Sequence, residues 1–196
     1  VKQSPQSELA DDSLHFAIEA ALLSDQLEEA AQLAARFEKE YPQSGLRLHQ
    51  ELLKGRISDA QGKPEDLQAA VKHFQNVLDQ SKLENTQLLA RLYLARTYQK
   101  LKEYQKSIDV LKPYLDDTNT DKTTSEYADA LILQSNNFNS LQKFPEAESL
   151  AKTYLKQFPN EPRYDQILAN LIILTSKNDK PEEVDQYLAE LEKRKK

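Results

Sequence analysis

Apolar residues recur along this chain at three- and four-residue spacing, in short stretches parted by polar ones. The clearest case is Leu94, Ala95 and Tyr98, followed after Lys102-Glu103 by Tyr104, Ile108, Leu111 and Leu115. Each set draws one stripe along one helix face. The two sets therefore predict two helices, and small Ala95 and Ser107 let them approach closely. The pattern returns around Ala30, Ala70, Ser107, Ala147 and Val184, which are 40, 37, 40 and 37 residues apart. Two copies also end alike, with Phe37-Glu38-Lys39-Glu40-Tyr41-Pro42 matching Tyr154-Leu155-Lys156-Gln157-Phe158-Pro159. Aromatics four apart share a helix face, and the proline stops the helix behind them. The expected architecture is all-α: one domain over 1–196 with about five helical hairpins, at roughly 11–44, 45–83, 85–121, 123–161 and 163–194.

Helix-start signals support the pairing. Pro64-Glu65, Pro145-Glu146 and Pro181-Glu182 each open a second helix, since proline suits the first turn and the acid suits the helix dipole. Thr123 with Glu126 reads as a capping box ahead of the fourth hairpin. Pro113 is expected to end or bend its helix. The stretch from Asp116 to Lys122 has no apolar residue and reads as a polar spacer loop. The second hairpin is the irregular one. Leu67, Ala70, Val71, Phe74, Val77 and Leu78 make a good second helix. Its first helix, about 46–60, fits only with Gly55 as the small residue and Glu51 and Lys54 at apolar positions.

Composition narrows the function. Only 39 % of residues are hydrophobic, which suits a thin repeat stack better than one compact core. The net charge of −6 argues against a nucleic-acid partner, because phosphate contacts need clustered Lys and Arg. The basic tail Lys193-Arg194-Lys195-Lys196 suits a helix C-terminus. No apolar run approaches the roughly 20 residues of a membrane span; the longest is Leu171-Ile172-Ile173-Leu174. The chain starts at Val1 and has no Met, which reads as a trimmed fragment and leaves a removed signal or lipid anchor open.

Catalytic signals are missing. There is no Cys, hence no thiol nucleophile or thiolate metal site. His15, His49 and His73 fall on separate predicted helices, without the i,i+4 pairing of a helical zinc site, and read as surface or edge residues. No phosphate loop or nucleophile elbow occurs. Neighbouring acids such as Asp11-Asp12 and Glu182-Glu183 point about 100° apart on a helix, which suits solvation rather than acid–base work. The expectation is a non-enzyme without metal or cofactor.

The residues Leu94, Ala95, Tyr98, Tyr104, Ser107 and Ile108 resemble the tetratricopeptide repeat, a helical hairpin of about 34 residues with a small residue in each helix, an aromatic before the second and a proline after it. Phe138, Phe144, Ala147 and Pro159 match in the fourth copy, and Leu14, Leu27, Ala30, Phe37 and Pro42 in the first. The fifth has Pro181 in place of the aromatic, and the family's tryptophan is absent throughout. The resemblance implies a right-handed superhelix whose first helices line a concave groove. By the family's spacing, Leu89, Leu92, Tyr93, Arg96 and Gln99 would face it in the third copy. Ile132, Leu133, Asn136 and Asn139 would do so in the fourth, and Ala169, Asn170, Ile173 and Lys177 in the fifth. Apolar anchors mixed with amides suit an extended peptide or a helix of a protein partner. Of the positions that clamp a terminal carboxylate in some family members, represented here by Leu92, Arg96, Leu133 and Asn136, only Asn136 has the matching type.

The endings Tyr41-Pro42-Gln43-Ser44 and Phe158-Pro159-Asn160-Glu161 are similar to those of bacterial envelope members, the TolA-binding and outer-membrane assembly lipoprotein groups. That similarity implies a periplasmic or envelope-associated scaffold, with a cytoplasmic one as the alternative. Three roles fit this sequence. The first is a protein-interaction scaffold, monomeric or weakly homo-oligomeric. The second is a self-assembling module that packs through its last hairpin, and the third a non-catalytic regulatory part of an enzyme system.

Overall fold

The computed structural model describes residues 6–194, with side chains from Ala10 onward, so Lys195 and Lys196 of the basic tail lie outside the described residues. Among these are ten helices and no strand. They are α1 (Gln6–Leu23), α2 (Leu27–Glu40), α3 (Arg47–Gln61), α4 (Pro64–Gln80), α5 (Glu84–Lys100), α6 (Tyr104–Asp116), α7 (Ser125–Ser140), α8 (Phe144–Gln157), α9 (Tyr164–Lys177) and α10 (Pro181–Arg194). The fold class is all-α, of the helical-repeat kind the spacing predicts.

The chain divides after Leu101 into two compact units. In the first, each helix packs on the next from α1 to α5, and the odd-numbered helices α1, α3 and α5 also touch in turn. Leu14, Ile18, Ala30, Ala34, Phe37, Leu53 and Ile57 form its leading core cluster. In the second, α6 to α10 pack in the same sequential way, around Tyr127, Leu131, Ala147, Ala151, Tyr154, Phe158, Leu168 and Leu171.

One turn is used five times. Asp25, Gly62, Lys102, Gln142 and Asp179 each have φ between 55° and 76°, and each sits between the two helices of a predicted hairpin. Around Asp25, Gln142 and Asp179 the hydrogen bonds are those of a Schellman cap. Gln26 N donates to Ala21 O at 2.8 Å, Lys143 N to Phe138 O at 2.9 Å and Lys180 N to Thr175 O at 3.3 Å. The paired aromatics close the matching second helices. Phe37 and Tyr41 have ring centroids 5.5 Å apart, Tyr154 and Phe158 5.3 Å. Pro42 and Pro159 lie two residues beyond each helix end.

Three sequence expectations need correction. The cap of α7 is Thr124, whose hydroxyl accepts from Tyr127 N at 3.2 Å, whereas Thr123 is bound back to Asp121. Thr124 has the extended backbone a cap requires, and Thr123 lies one residue outside the helix. Of the two outcomes expected of Pro113, an end or a bend, the first does not occur, since α6 runs on to Asp116. Proline has no N–H for the Asp109 carbonyl, but both residues are exposed, so water can take that donor's place. The histidines are half-buried at helix contacts. His15 Nδ1 is 2.9 Å from Gln50 Nε2, and His73 Nδ1 2.8 Å from Glu51 Oε2.

The irregular second hairpin has a packing reason. A Cβ added at Gly55 would lie 2.7 Å from Cδ1 and 2.9 Å from Cζ of Phe74, so α3 and α4 meet closer than any side chain allows. The misplaced charges are paired. Glu51 accepts from His73 and from Lys54, and Lys54 also reaches Glu38. The His73 contact, against the opposing effect of burial and with help from Lys54, holds the Glu51 carboxyl down at about 2.

Candidate functional site

In the second unit, α7, α8 and α9 enclose a recess of about 130 Å³. Its apolar floor comes from Leu131 of α7, Leu150, Ala151 and Tyr154 of α8, and Ile167 and Leu174 of α9. The rim carries Ile132, Asn136 and Asn139 from α7 with Asn170 and Ile173 from α9. Successive rim residues stand three or four apart on their helices and so share a face. Ile173 is 54 % exposed, high for an isoleucine with a cavity beside it.

The polar groups of the recess differ in how far they are spent. Ser135 Oγ donates to the Ala147 carbonyl at 2.9 Å, which ties α7 to α8. Asn139 accepts from Lys177 Nζ at 3.2 Å, while that ammonium lies 4.6 Å from the Phe144 ring centroid. Among the described residues, the side-chain amides of Asn136 and Asn170 make no hydrogen bond within the chain. Each leaves donors and an acceptor beside an apolar floor.

A charged cluster fixes the far side of this unit. Glu148 of α8 is buried, yet it accepts from Lys180 Nζ at 2.8 and 3.0 Å and from Asn178 Nδ2 at 2.5 Å. Lys152 Nζ lies 2.6 Å from both Glu148 and Glu183. Burial by itself would raise the Glu148 carboxyl, but the bonds from Lys152, Lys180 and Asn178 outweigh it and hold the group at about 2. The cluster joins α8 to the α9–α10 turn. Its charged groups are paired with one another within the chain.

Of the groove residues expected from sequence, Ile132, Asn136, Asn139, Asn170 and Ile173 line this one recess, and Lys177 is bonded to its rim. Leu133 of the same helix is buried, at 6 % exposure. In the first unit, Leu92 of α5 is also buried, at 5 %. Tyr93 is half-buried, stacked on Phe74 of α4 at 5.5 Å, with the Arg56 guanidinium 5.5 Å from its ring centroid. Leu89 and Arg96 are exposed on α5, Gln99 is half-buried there, and Ala169 is half-buried on α9. The floor residues of α8 escaped the sequence reading. Leu150, Ala151 and Tyr154 belong to the amphipathic stripe of a second helix, and only the tertiary stacking shows that the stripe also floors a recess. Among the described residues, no group of three or more His, Asp or Glu side chains is placed to hold a metal, and no helix is long and apolar enough to cross a membrane.

A family model described as a tetratricopeptide repeat-like domain matches residues 2–150. The chain belongs to the tetratricopeptide repeat-like family. Among solved structures of the same fold, the apo form of RapI superposes with a TM-score of 0.80 at 9 % identity, covering 93 % of this chain and 69 % of that one. A putative kinesin light chain from Podosopora anserina, with nearly identical TPR-like repeats, gives 0.73 at 16 % identity, covering 92 % of both chains. MamA (41-end) from Desulfovibrio magneticus RS-1 gives 0.69 at 15 % identity, covering 93 % of both. No curated protein matches the sequence significantly. Tetratricopeptide repeat proteins are in general non-enzymatic scaffolds for other proteins, and this chain has that fold.

Proposed function

We propose that this tetratricopeptide repeat protein captures a peptide or helix of a partner protein through the α7–α9 recess, without catalysis. The observation that carries the reading is the pairing of an apolar floor with the unspent amides of Asn136 and Asn170. A recess of this size takes one aliphatic or aromatic side chain, and the amides can bond the carbonyl and N–H groups on either side of it. Exposed Ile173 gives the anchor further apolar contact.

The test is selection from a random peptide display library, repeated with Ile173→Glu and with Asn136→Ala/Asn170→Ala. Peptides with a shared Leu, Ile or Phe should be enriched by the native chain and lost by both variants, whose melting stays native because the altered groups are exposed or half-buried. Equal enrichment by the variants would end this reading. The envelope assignment rests on the two short helix endings after Tyr41 and Phe158. Fractionation of source cells tests it, and a purely cytosolic signal would dismiss it.

A further inference from the structure

The five predicted hairpins share a register set by their left-handed turn residues, which makes positions in different hairpins equivalent. Phe16 of α1 then corresponds to Leu53, Tyr93, Leu133 and Asn170, and Ala20 to Ile57, Thr97, Asn137 and Leu174. The four equivalents of Ala20 are buried, yet Ala20 is exposed. Phe16 is 63 % exposed, whereas Leu53 and Leu133 are buried and Tyr93 and Asn170 half-buried. At the other end, Leu188 of α10 corresponds to Ala34, Val71, Leu111 and Ala151. Those are buried or half-buried, and Leu188 is 42 % exposed. Val184 and Leu191 flank it on the same face of a helix that has no buried residue.

These two faces are the two halves of a contact the chain already makes. Where α4 meets α5 and where α6 meets α7, the second helix uses the α10-type face against the α1-type face. Phe74 of α4, the counterpart of Leu191, stacks on Tyr93 of α5, the counterpart of Phe16, at 5.5 Å and 18°. Ser107 of α6, the counterpart of Val184, accepts a 2.7 Å hydrogen bond from Asn137 of α7, the counterpart of Ala20. The helices run antiparallel in both cases. The same register sets Leu191 against Phe16 and Val184 against Ala20. It also brings Lys193 to exposed Asp12 in the first half of α1, so opposite charges meet, whereas Arg194 is held by Asp165 and Asp11 accepts from Ser44. Leu23, 82 % exposed, extends the α1 patch where the other hairpins carry Ala60, Lys100, Ser140 and Lys177.

We propose that α10 of one copy docks on α1 of the next, continuing the repeat stack head to tail between molecules. The contact is heterologous: each added copy presents a fresh face, so assembly gives open chains rather than a closed dimer. One hairpin end is a small interface, so association is weak and rises with concentration.

The experiment is sedimentation velocity of the full chain from about 10 μM to about 1 mM, with Phe16→Glu and Leu188→Glu alongside. The native chain should sediment progressively faster as concentration rises. Each variant alone should stay monomeric with native helix content, because both side chains are solvent-exposed. Mixed in equal amounts, the two variants should form dimers and nothing larger, since only one good face of each kind is present. Milder Phe16→Ser and Leu188→Ser should weaken association in the same pattern, which guards against misfolding of the Glu variants. A native chain that remains monomeric throughout overturns the proposal. So does a discrete dimer that one variant abolishes and the other leaves intact, or a variant mixture that stays monomeric.

Discussion

At the scale of single residues, four of the five hairpin turns carry a non-glycine residue in the left-handed region. That conformation costs an L-residue about 1–2 kcal/mol, partly offset by the extra entropy glycine would lose on folding. Gln142→Gly is therefore expected to raise stability by up to about 1 kcal/mol, and Gly62→Ala to lower it by about 1 kcal/mol, both read by urea melts. Gly55 is limited by space instead. Gly55→Ala should cost about 1–3 kcal/mol through collision with Phe74, and adding Phe74→Leu should return part of that loss in the double-variant melt. Glu148 makes the pH prediction. Its carboxyl is held below the ordinary value of 4.5, so its stabilising contribution is complete above that pH and fades as pH falls toward about 2. Glu148→Gln should lower neutral-pH stability by about 2 kcal/mol and flatten the acid limb of the stability curve across that window.

Helices of the two kinds were unequally legible. The second helices α2, α4, α6 and α8 carry one clear apolar stripe, because one face is buried and the other wet. Their starts, at Pro64 and Pro145 among others, could be read from sequence. The first helices pack against a preceding helix as well as their own partner, so apolar residues surround them and the facing blurs. Leu92 and Leu133 were expected at a groove for that reason, and both are buried. The helix-to-helix hydrogen bond from Asn137 to Ser107 is equally hidden from a pattern of apolar positions, since both residues are polar and fully buried. Asn137→Ala should cost about 1–3 kcal/mol by leaving the Ser107 hydroxyl one bond short. In a double-variant cycle, adding Ser107→Ala should cost less than it does alone, whereas additive losses would place the effect elsewhere.

For the whole molecule, stability in a repeat chain is a sum of local terms and nearest-neighbour contacts. With no buried residue and a neighbour on one side only, α10 should exchange its amides fastest among α7 to α10, measured by hydrogen exchange with mass spectrometry. Its protection should rise with protein concentration if copies stack as proposed, and protection equal to that of α7 at high dilution would contradict this view of α10. The sequence by itself determined the all-α repeat architecture, the helix ends at Tyr41-Pro42 and Phe158-Pro159 and the family, because periodicity, proline and paired aromatics act within a few residues of one another. It did not signal the left-handed turns at Asp25, Lys102, Gln142 and Asp179, since none of them is glycine and only chain closure imposes the conformation. Which apolar side chains are core, which three helices meet around a recess, and which apolar side chains of α1 and α10 are exposed were decided by tertiary packing alone. Those properties depend on what a neighbouring helix covers, and residues tens of positions away supply that helix.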